Sequence, residues 1–425
     1  MKGTGRNNRD MLGRSDTASL QEALVLLRQN LGPPTTRKTA VLLEEALDRI
    51  CAVDILSPEN LPAFPRSTMD GYAVRARDTY GASEKMPSYL EVTGEVAMGE
   101  FPRHTPLPGA CFRIATGGIL PPETDAVVML EHTVAIDAGM IEVVQPAAAG
   151  AHVITAGEDV ARGELLFSAG HRFRPQDLGL LAGVGIKTVS VFPRVRVGII
   201  STGDEVVPHD QSPLPGKIRD MNSVSLAAQV KQAHAEPTFY GIAADREETL
   251  ANLVQEAKNE NDIVLLSGSS SVGTRDLGET VLEKMGPPGI IVHGVSVKPG
   301  KPVIIARAGD TMLFGLPGHP VSAAVSFDLF VRPAITHLSG AIPDIFPRHR
   351  RVKAMLKRNL NSAAGRTDLV RVEIRKTGDK ELAAHPVLGK SGALSSMVRA
   401  HGYIVIAEEL QGLKEGEMVE VRLFD

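Results

Sequence analysis

The sequence predicts a multidomain α/β protein organised around a doubly wound parallel sheet. Three observations carry that expectation. The chain has 425 residues, beyond the size at which a single hydrophobic core stops growing. From Pro193 onward, short apolar runs rich in β-branched residues alternate with helical patterns, the signature of βαβ units. Between Tyr72 and Gly157 the pattern is instead strand-like alternation cut by Gly and Pro, which marks a separate β-rich region.

Composition narrows the functional classes. Apolar residues make up 43%, charged residues 23%, and the net charge is −4, so binding of nucleic acid through bulk positive charge is not expected. Two cysteines, Cys51 and Cys111, form neither a zinc pattern nor a disulfide framework. No run approaches the length of a membrane span and the N-terminus lacks the apolar core of a signal peptide, so a soluble cytoplasmic protein is expected. With 28 Pro and 41 Gly, turns are frequent.

Taken in order, residues 1–17 are polar and charged and read as a disordered tail. Ser19 is placed to cap a helix with Leu20, Leu24, Leu27 and Leu31 on one stripe, stopped by Gly32, Pro33 and Pro34. A second helix is predicted through Val41, Leu42, Glu45, Ala46 and Ile50, before a Pro-rich extended segment. The β pattern follows in YLEVTGEV, ACFRIAT, DAVVMLEHTVAI and MIEVVQP. A helix at 176–182 lies in a stretch expected to rejoin the first region. The expected division is therefore a discontinuous elongated N-terminal domain (18–71 plus 158–193), an inserted β-rich domain (72–157), the α/β domain (194–342) and a small C-terminal β domain (343–425) with a basic entry run.

Within the α/β region, RVRVGIIST and PTFYGIAAD read as strands, and DMNSVSLAAQVKQA and REETLANLVQEAKNE as helices. The central stretch is DIVLLSGSSSVGTRD (262–276): a buried strand opening through small residues into a helix that carries Leu277, Val281, Leu282 and Met285. Free backbone N–H groups and hydroxyls at such a junction cradle an oxyanion. Asp276 beside them fits if a divalent cation or cationic partner lies between. By itself the same stretch also reads as a solvated turn with Asp276 near the helix N-cap. Ligands of doubly wound sheets bind beyond the carboxyl ends of the strands. The loops expected there are STGDE (201–205), Asp245, the central loop, and LPGHP (316–320), which leads into the helix VSAAVSFDLFVRPAITHL.

The ordered landmarks PAFPRSTMDGYA (62–73), ATGGILPPETDAVV (115–128), GED (157–159), STGDE, SVGTRD (271–276), KPGKP (298–302), LPGHPVSA (316–323) and SGALSSMVRA (391–400) together resemble the molybdopterin molybdenumtransferase family, which also supplies the enzyme domain of gephyrin-type scaffolds. The resemblance covers the chain beyond its tail. It implies a four-domain homodimer with a molybdopterin-binding α/β fold, inserting molybdate or tungstate into the dithiolene of adenylylated molybdopterin with release of AMP. It implies further that Asp70, Thr116, Asp159, Glu205, Asp245, Asp276, Lys298 and Lys301 are catalytic. Ser267, Gly268, Ser271, Gly273, Pro317, Gly318, Pro320 and Ser391 would bind the pterin, and Glu205, Asp245 and Asp276 would hold Mg2+. The partners it implies are the pterin and oxyanion substrates and the adenylyltransferase that supplies the intermediate, with neither nucleic acid nor membrane.

These residue types suit that chemistry. Lysines screen a polyanionic ligand as point charges, Gly and Pro shape backbone that approaches it closely, and carboxylates hold magnesium on bridging phosphates. The chain departs from the family pattern at Ser269, at His319 where the family has Asn, at Ile154, Thr155 and Ala156 where it has Arg, and at Lys390. Two other readings stay open: a molybdopterin adenylyltransferase, and a pterin-binding scaffold without turnover. The four carboxylates Asp159, Glu205, Asp245 and Asp276, kept together with Lys298 and Lys301, favour an enzyme over a simple anion binder.

Overall fold

The computed structural model describes residues 17–268, 275–342, 351–377 and 381–424. Residues 1–16 of the expected tail, and 343–350 at the start of the basic run, lie outside the described residues. Two compact units emerge, one of residues 1–39, 48–52 and 191–425, the other of residues 40–47 and 53–190.

The first unit is built on a six-stranded sheet. Its strands are β1 (Arg196–Thr202), β2 (Glu236–Ala243), β3 (Ile263–Ser267), β4 (Pro288–His293), β5 (Ile304–Ala308) and β6 (Thr311–Leu316), in the spatial order β2-β1-β3-β6-β5-β4. β2, β1, β3 and β6 pair in parallel. β5 is antiparallel to both neighbours, so the expected parallel core carries one reversed strand near its edge, joined to β6 by a short hairpin. β3 is buried along its whole length, which is why its sequence is continuously apolar rather than alternating. Helices packed with this sheet include α1 (Leu20–Asn30), α2 (Asn222–Gln232), α3 (Glu247–Glu260) and α4 (Arg275–Lys284).

Helix α1 starts where Ser19 and Glu22 form a reciprocal capping box. Its stripe is spent on the α/β core, where Ala23 and Leu27 are buried with Val197, Ile199 and Phe314. By its contacts α1, expected in the elongated N-terminal domain, groups with the first unit; a periodic stripe shows that a helix buries a face, not which core receives it. The helix expected through Val41 and Ile50 is corrected. Residues Thr39–Leu42 form a strand and Leu43–Glu45 one 3-10 turn, after which Asp48 takes φ 61°. Leu43 N–H donates to the Lys187 carbonyl, a long-range bond that outweighs a weak helical period. The helix predicted from Val321 exists as one continuous run, Pro320–Ser326 and Arg332–Leu338 joined by a π-helical Phe327–Val331.

The C-terminal β domain belongs to the same unit. Strands Thr367–Thr377, Glu381–Pro386, Arg351–Leu356, Met418–Leu423 and Gly402–Ile406 pair in that order, and the last pairs back to the first, closing a barrel. Val297–Lys298 adds to this barrel in parallel, Val297 opposite Thr367 and Lys298 opposite Asp368. One end of KPGKP is therefore fixed to the barrel.

The second unit holds the predicted β-rich region as a six-stranded sheet, ordered Ala126–Met129, Gly71–Val74, Ala110–Ile114, Ser88–Glu95, Met140–Val143 and Thr133–Ala135. Its core includes Val74, Leu90, Cys111 and Ile141. The expected helix at 176–182 is Pro175–Gly183, with Pro at its first turn. Asp177 secures that start. It accepts from the Arg174 backbone N–H at 2.8 Å, from the Arg174 guanidinium at 2.9 Å and pairs with His171 Nε2 at 2.7 Å. Burial works to raise its carboxyl, but the bonds from Arg174 and His171 prevail and hold it at about 2. Both cysteines are buried and neither forms a disulfide, and burial pushes the Cys111 thiol up to about 12. No helix among the described residues is long and apolar enough to cross a membrane.

Candidate functional site

A cleft of about 1630 Å3 opens at the carboxyl ends of β1, β3 and β6 and is walled on its far side by the C-terminal barrel. It exceeds the roughly 300–1,000 Å3 of ordinary ligand pockets, which leaves room for an extended ligand. Its position follows from topology, because strand ends on the two sides of β1 and β3 feed loops to one edge.

Most of the residues singled out from sequence in this unit meet here. Glu205, Ser267, Gly268, Lys298, Lys301, Pro317, Gly318, Pro320 and Ser391 all line the cleft. Two glycines are there by necessity. Gly268 has φ 107°, and a Cβ on it would sit 2.4 Å from the Thr202 carbonyl oxygen. Gly300, between the two lysines, has φ 113°, and its Cβ would meet Ser326 Oγ at 2.9 Å. Side chains are excluded at both, so backbone comes close to whatever fills the cleft.

Asp245 follows β2 and pairs with Asp204 rather than standing alone. Asp245 N–H donates to Asp204 Oδ1 at 3.1 Å, and Asp204 N–H approaches Asp245 Oδ2 at 3.4 Å. Desolvation raises the Asp245 carboxyl, and the charges of Asp204 and Glu205 push it further the same way. Among the described residues its Oδ1 is buried without a hydrogen-bond partner. An orphaned, repelled carboxylate oxygen has the donor chemistry that a divalent cation satisfies. Among the described residues, no three His, Cys, Asp or Glu side chains group so as to hold a metal. Asp276 is the second residue of α4, and its side chain, with Ser271 and Gly273, lies outside the described residues.

Asp70, Thr116 and Asp159 belong to the second unit. Asp70 Oδ1 accepts from the Thr116 backbone N–H at 2.7 Å and from its hydroxyl at 2.9 Å, and these bonds lower its exposed carboxyl. The pair sits where Gly71–Val74 and Ala110–Ile114 run side by side. Asp159 is exposed, its backbone N–H tied to the Leu61 carbonyl.

Sequence reasoning passed over several cleft residues. Arg371 is 7% exposed, donates to the Gly389 carbonyl at 2.9 Å, and among the described residues leaves its Nε buried without a partner. Arg366 is committed to the buried Asp368, at 2.8 and 3.2 Å. Asn222 and Asp220 were seen only as the start of a helix. Their one local signal is the Asp-x-x-Ser spacing of 220–223, with Asp220 Oδ1 accepting from the Ser223 N–H at 3.0 Å.

Comparison with known proteins agrees with this geometry. Residues 18–185 match the MoeA N-terminal region (domain I and II), residues 198–337 a probable molybdopterin binding domain, and residues 353–424 the MoeA C-terminal region (domain IV). A putative molybdopterin biosynthesis protein of Methanocaldococcus jannaschii is 37% identical over 89% of this chain and 90% of its own length. A molybdopterin molybdenumtransferase of Haemophilus influenzae is 34% identical over 92% of this chain and 95% of its own. The crystal structure of a molybdopterin biosynthesis MoeA protein from Pyrococcus horikoshii superposes with a TM-score of 0.82 at 32% identity, covering 96% of this chain and 100% of that one.

Proposed function

We propose, for a chain that belongs to the molybdopterin molybdenumtransferase family, a detailed reaction at the cleft. The protein is a transferase of molybdenum cofactor biosynthesis. In our reading its substrates are adenylylated molybdopterin and molybdate, and AMP leaves as the oxyanion joins the dithiolene. One observation supports this most directly: Lys298 and Lys301 flank a glycine of fixed positive φ in a large cleft at the strand ends.

The residues divide the work. Lys298 and Lys301 offset the charge of phosphate and oxyanion. Gly268 and Gly318 let backbone approach the ligand, and Ser267 and Ser391 offer hydroxyls to it. Asp245, with Glu205 and Asp276, would hold Mg2+, which when bound polarises the phosphoanhydride. The orphaned Oδ1 of Asp245 supports that assignment. The reading also includes a homodimer in which Asp70, Thr116 and Asp159 of one chain complete the cleft of its partner. The adenylyltransferase that makes the intermediate would be a transient partner. A cytoplasmic location belongs to the same reading, supported by two buried cysteines that form no disulfide.

The test is direct. Purified protein is incubated with adenylylated molybdopterin, magnesium and molybdate or tungstate, and AMP is followed. AMP release that requires both the oxyanion and the divalent cation is expected. Pterin bound with no AMP released under any of these conditions would refute the reaction.

A further inference from the structure

Two serines lie side by side at the cleft floor. Ser201 ends β1, Ser267 ends β3, and they are directly opposite each other in the parallel register. Both line the cleft. Their hydroxyls are handled in opposite ways by one short turn, residues 220–223, at the start of α2. Ser201 Oγ donates to Asp220 Oδ2 at 2.6 Å, so its proton is directed into the protein. Ser267 Oγ instead faces Asn222 Nδ2 at 2.7 Å.

The orientation of the Asn222 amide is set by its second contact, Gly318 O at 2.8 Å. A carbonyl oxygen only accepts, so the amide nitrogen must face it. The same nitrogen then donates to Ser267 Oγ, which is thereby cast as acceptor. A hydroxyl has a single proton, and no described residue takes that of Ser267. Asn222 is 9% exposed, so this choice is made away from solvent.

We propose that Asn222 is a positioning residue: by donating to Ser267 and Gly318 together, it turns the Ser267 hydroxyl proton toward the cleft as a ready donor to an anionic group of the pterin ligand. The inference rests on the reaction proposed above for the identity of that ligand. It also ties the central loop to the LPGHP loop, where a Cβ on Gly318 would come within 3.3 Å of Gly268 Cα. Asparagine is suited to this because it supplies two donors on one uncharged nitrogen. An aspartate here would reverse the pattern. Ionised, it would accept the Ser267 proton and repel the Gly318 carbonyl; protonated, it would recover one donor.

The test uses the full chain as wild type, Asn222→Asp, Ser267→Ala and the double variant. Equilibrium binding of adenylylated molybdopterin is measured between pH 5 and 8, with AMP release on the same samples and thermal melting as a check of folding. Asp220, His319, Glu205, Lys298 and Lys301 border the site and are present in every variant, so wild type supplies their share of any pH dependence. Asn222→Asp should bind at least about tenfold more weakly at pH 8 and regain affinity toward pH 5. Ser267→Ala should lose affinity by a similar factor without that recovery, and the double variant should be no weaker than Ser267→Ala. Unchanged affinity in Ser267→Ala would overturn the proposal even if Asn222→Asp fails to fold. Additive losses, or pH profiles parallel to wild type, would reduce Asn222 to a scaffold residue and overturn it equally. Wild type that binds the pterin yet releases no AMP would refute the reaction while leaving the binding comparison to decide this inference.

Discussion

Two aspartates with restricted access to water, Asp177 and Asp245, sit in opposite electrostatic settings. Asp177 opens a helix in the second unit and meets the Arg174 guanidinium, the His171 ring and a backbone N–H, which hold its carboxyl at about 2 against the effect of burial. Asp245 follows a sheet strand in the first unit, faces Asp204 and Glu205, leaves one oxygen unpartnered, and is raised. Among the described residues the first is fully satisfied, and the second is left with a carboxylate oxygen that a cation or a donor would satisfy. Stability and function thus draw on the same residue type, and the surroundings distinguish them.

The largest test of that contrast is removal of the unsatisfied group. Asp245→Ala should lower AMP release by on the order of 100-fold and leave the melting temperature unchanged or higher, because a repelled carboxylate is lost. Near-normal turnover, or a clear loss of stability, would erase the distinction. Asp276→Ala should likewise abolish AMP release while costing about 0.5 kcal/mol or less in folding. Activity retained there would remove Asp276 from the cation site.

The satisfied group should behave the other way. Asp177→Asn should reduce folding stability by roughly 2 kcal/mol, read from urea unfolding at neutral pH, since the side chain is only 4% exposed. The sign with pH follows from the depressed value. Its contribution is complete above the unfolded carboxyl value near 3.8 and is lost as pH falls toward about 2. In the variant, that portion of the acid-induced loss should be missing. Identical acid unfolding in both proteins would show that Arg174 and His171 do not stabilise the charged form.

The smallest expected signal tests whether the site spans two chains. Asp70→Ala and Asp276→Ala chains, each inactive alone, should regain a fraction of AMP release in demonstrated mixed dimers. Complete absence of rescue there would confine each cleft to one chain.

Much of this was legible in the chain. The strands β1, β3 and β6 announce themselves because burial on both faces demands unbroken apolar runs, and the loops after them are fixed by topology. The Ser19 cap was readable because a capping box is local. What was not legible depends on long-range bonds. The segment Val41–Ile50 has a helical period, yet a contact with Lys187 draws it into extended structure. Glu205 was singled out and Asp204 was not, although Asp204 is the one bonded to Asp245 across 41 residues. Asn222 reaches Ser267 across 45 residues and Gly318 across 96, and nothing in the local sequence foretells either.

The burial of Cys51 and Cys111 bears on sulfur competition. The proposed cargo is a metal destined for the two sulfurs of a dithiolene, and a thiolate of the carrier protein would be a rival ligand. The whole chain has only these two cysteines, both fully enclosed, with the Cys111 thiol held protonated across the physiological range. Neither cysteine lines the cleft, so at the proposed transfer the dithiolene meets no protein thiolate there as a rival for the metal.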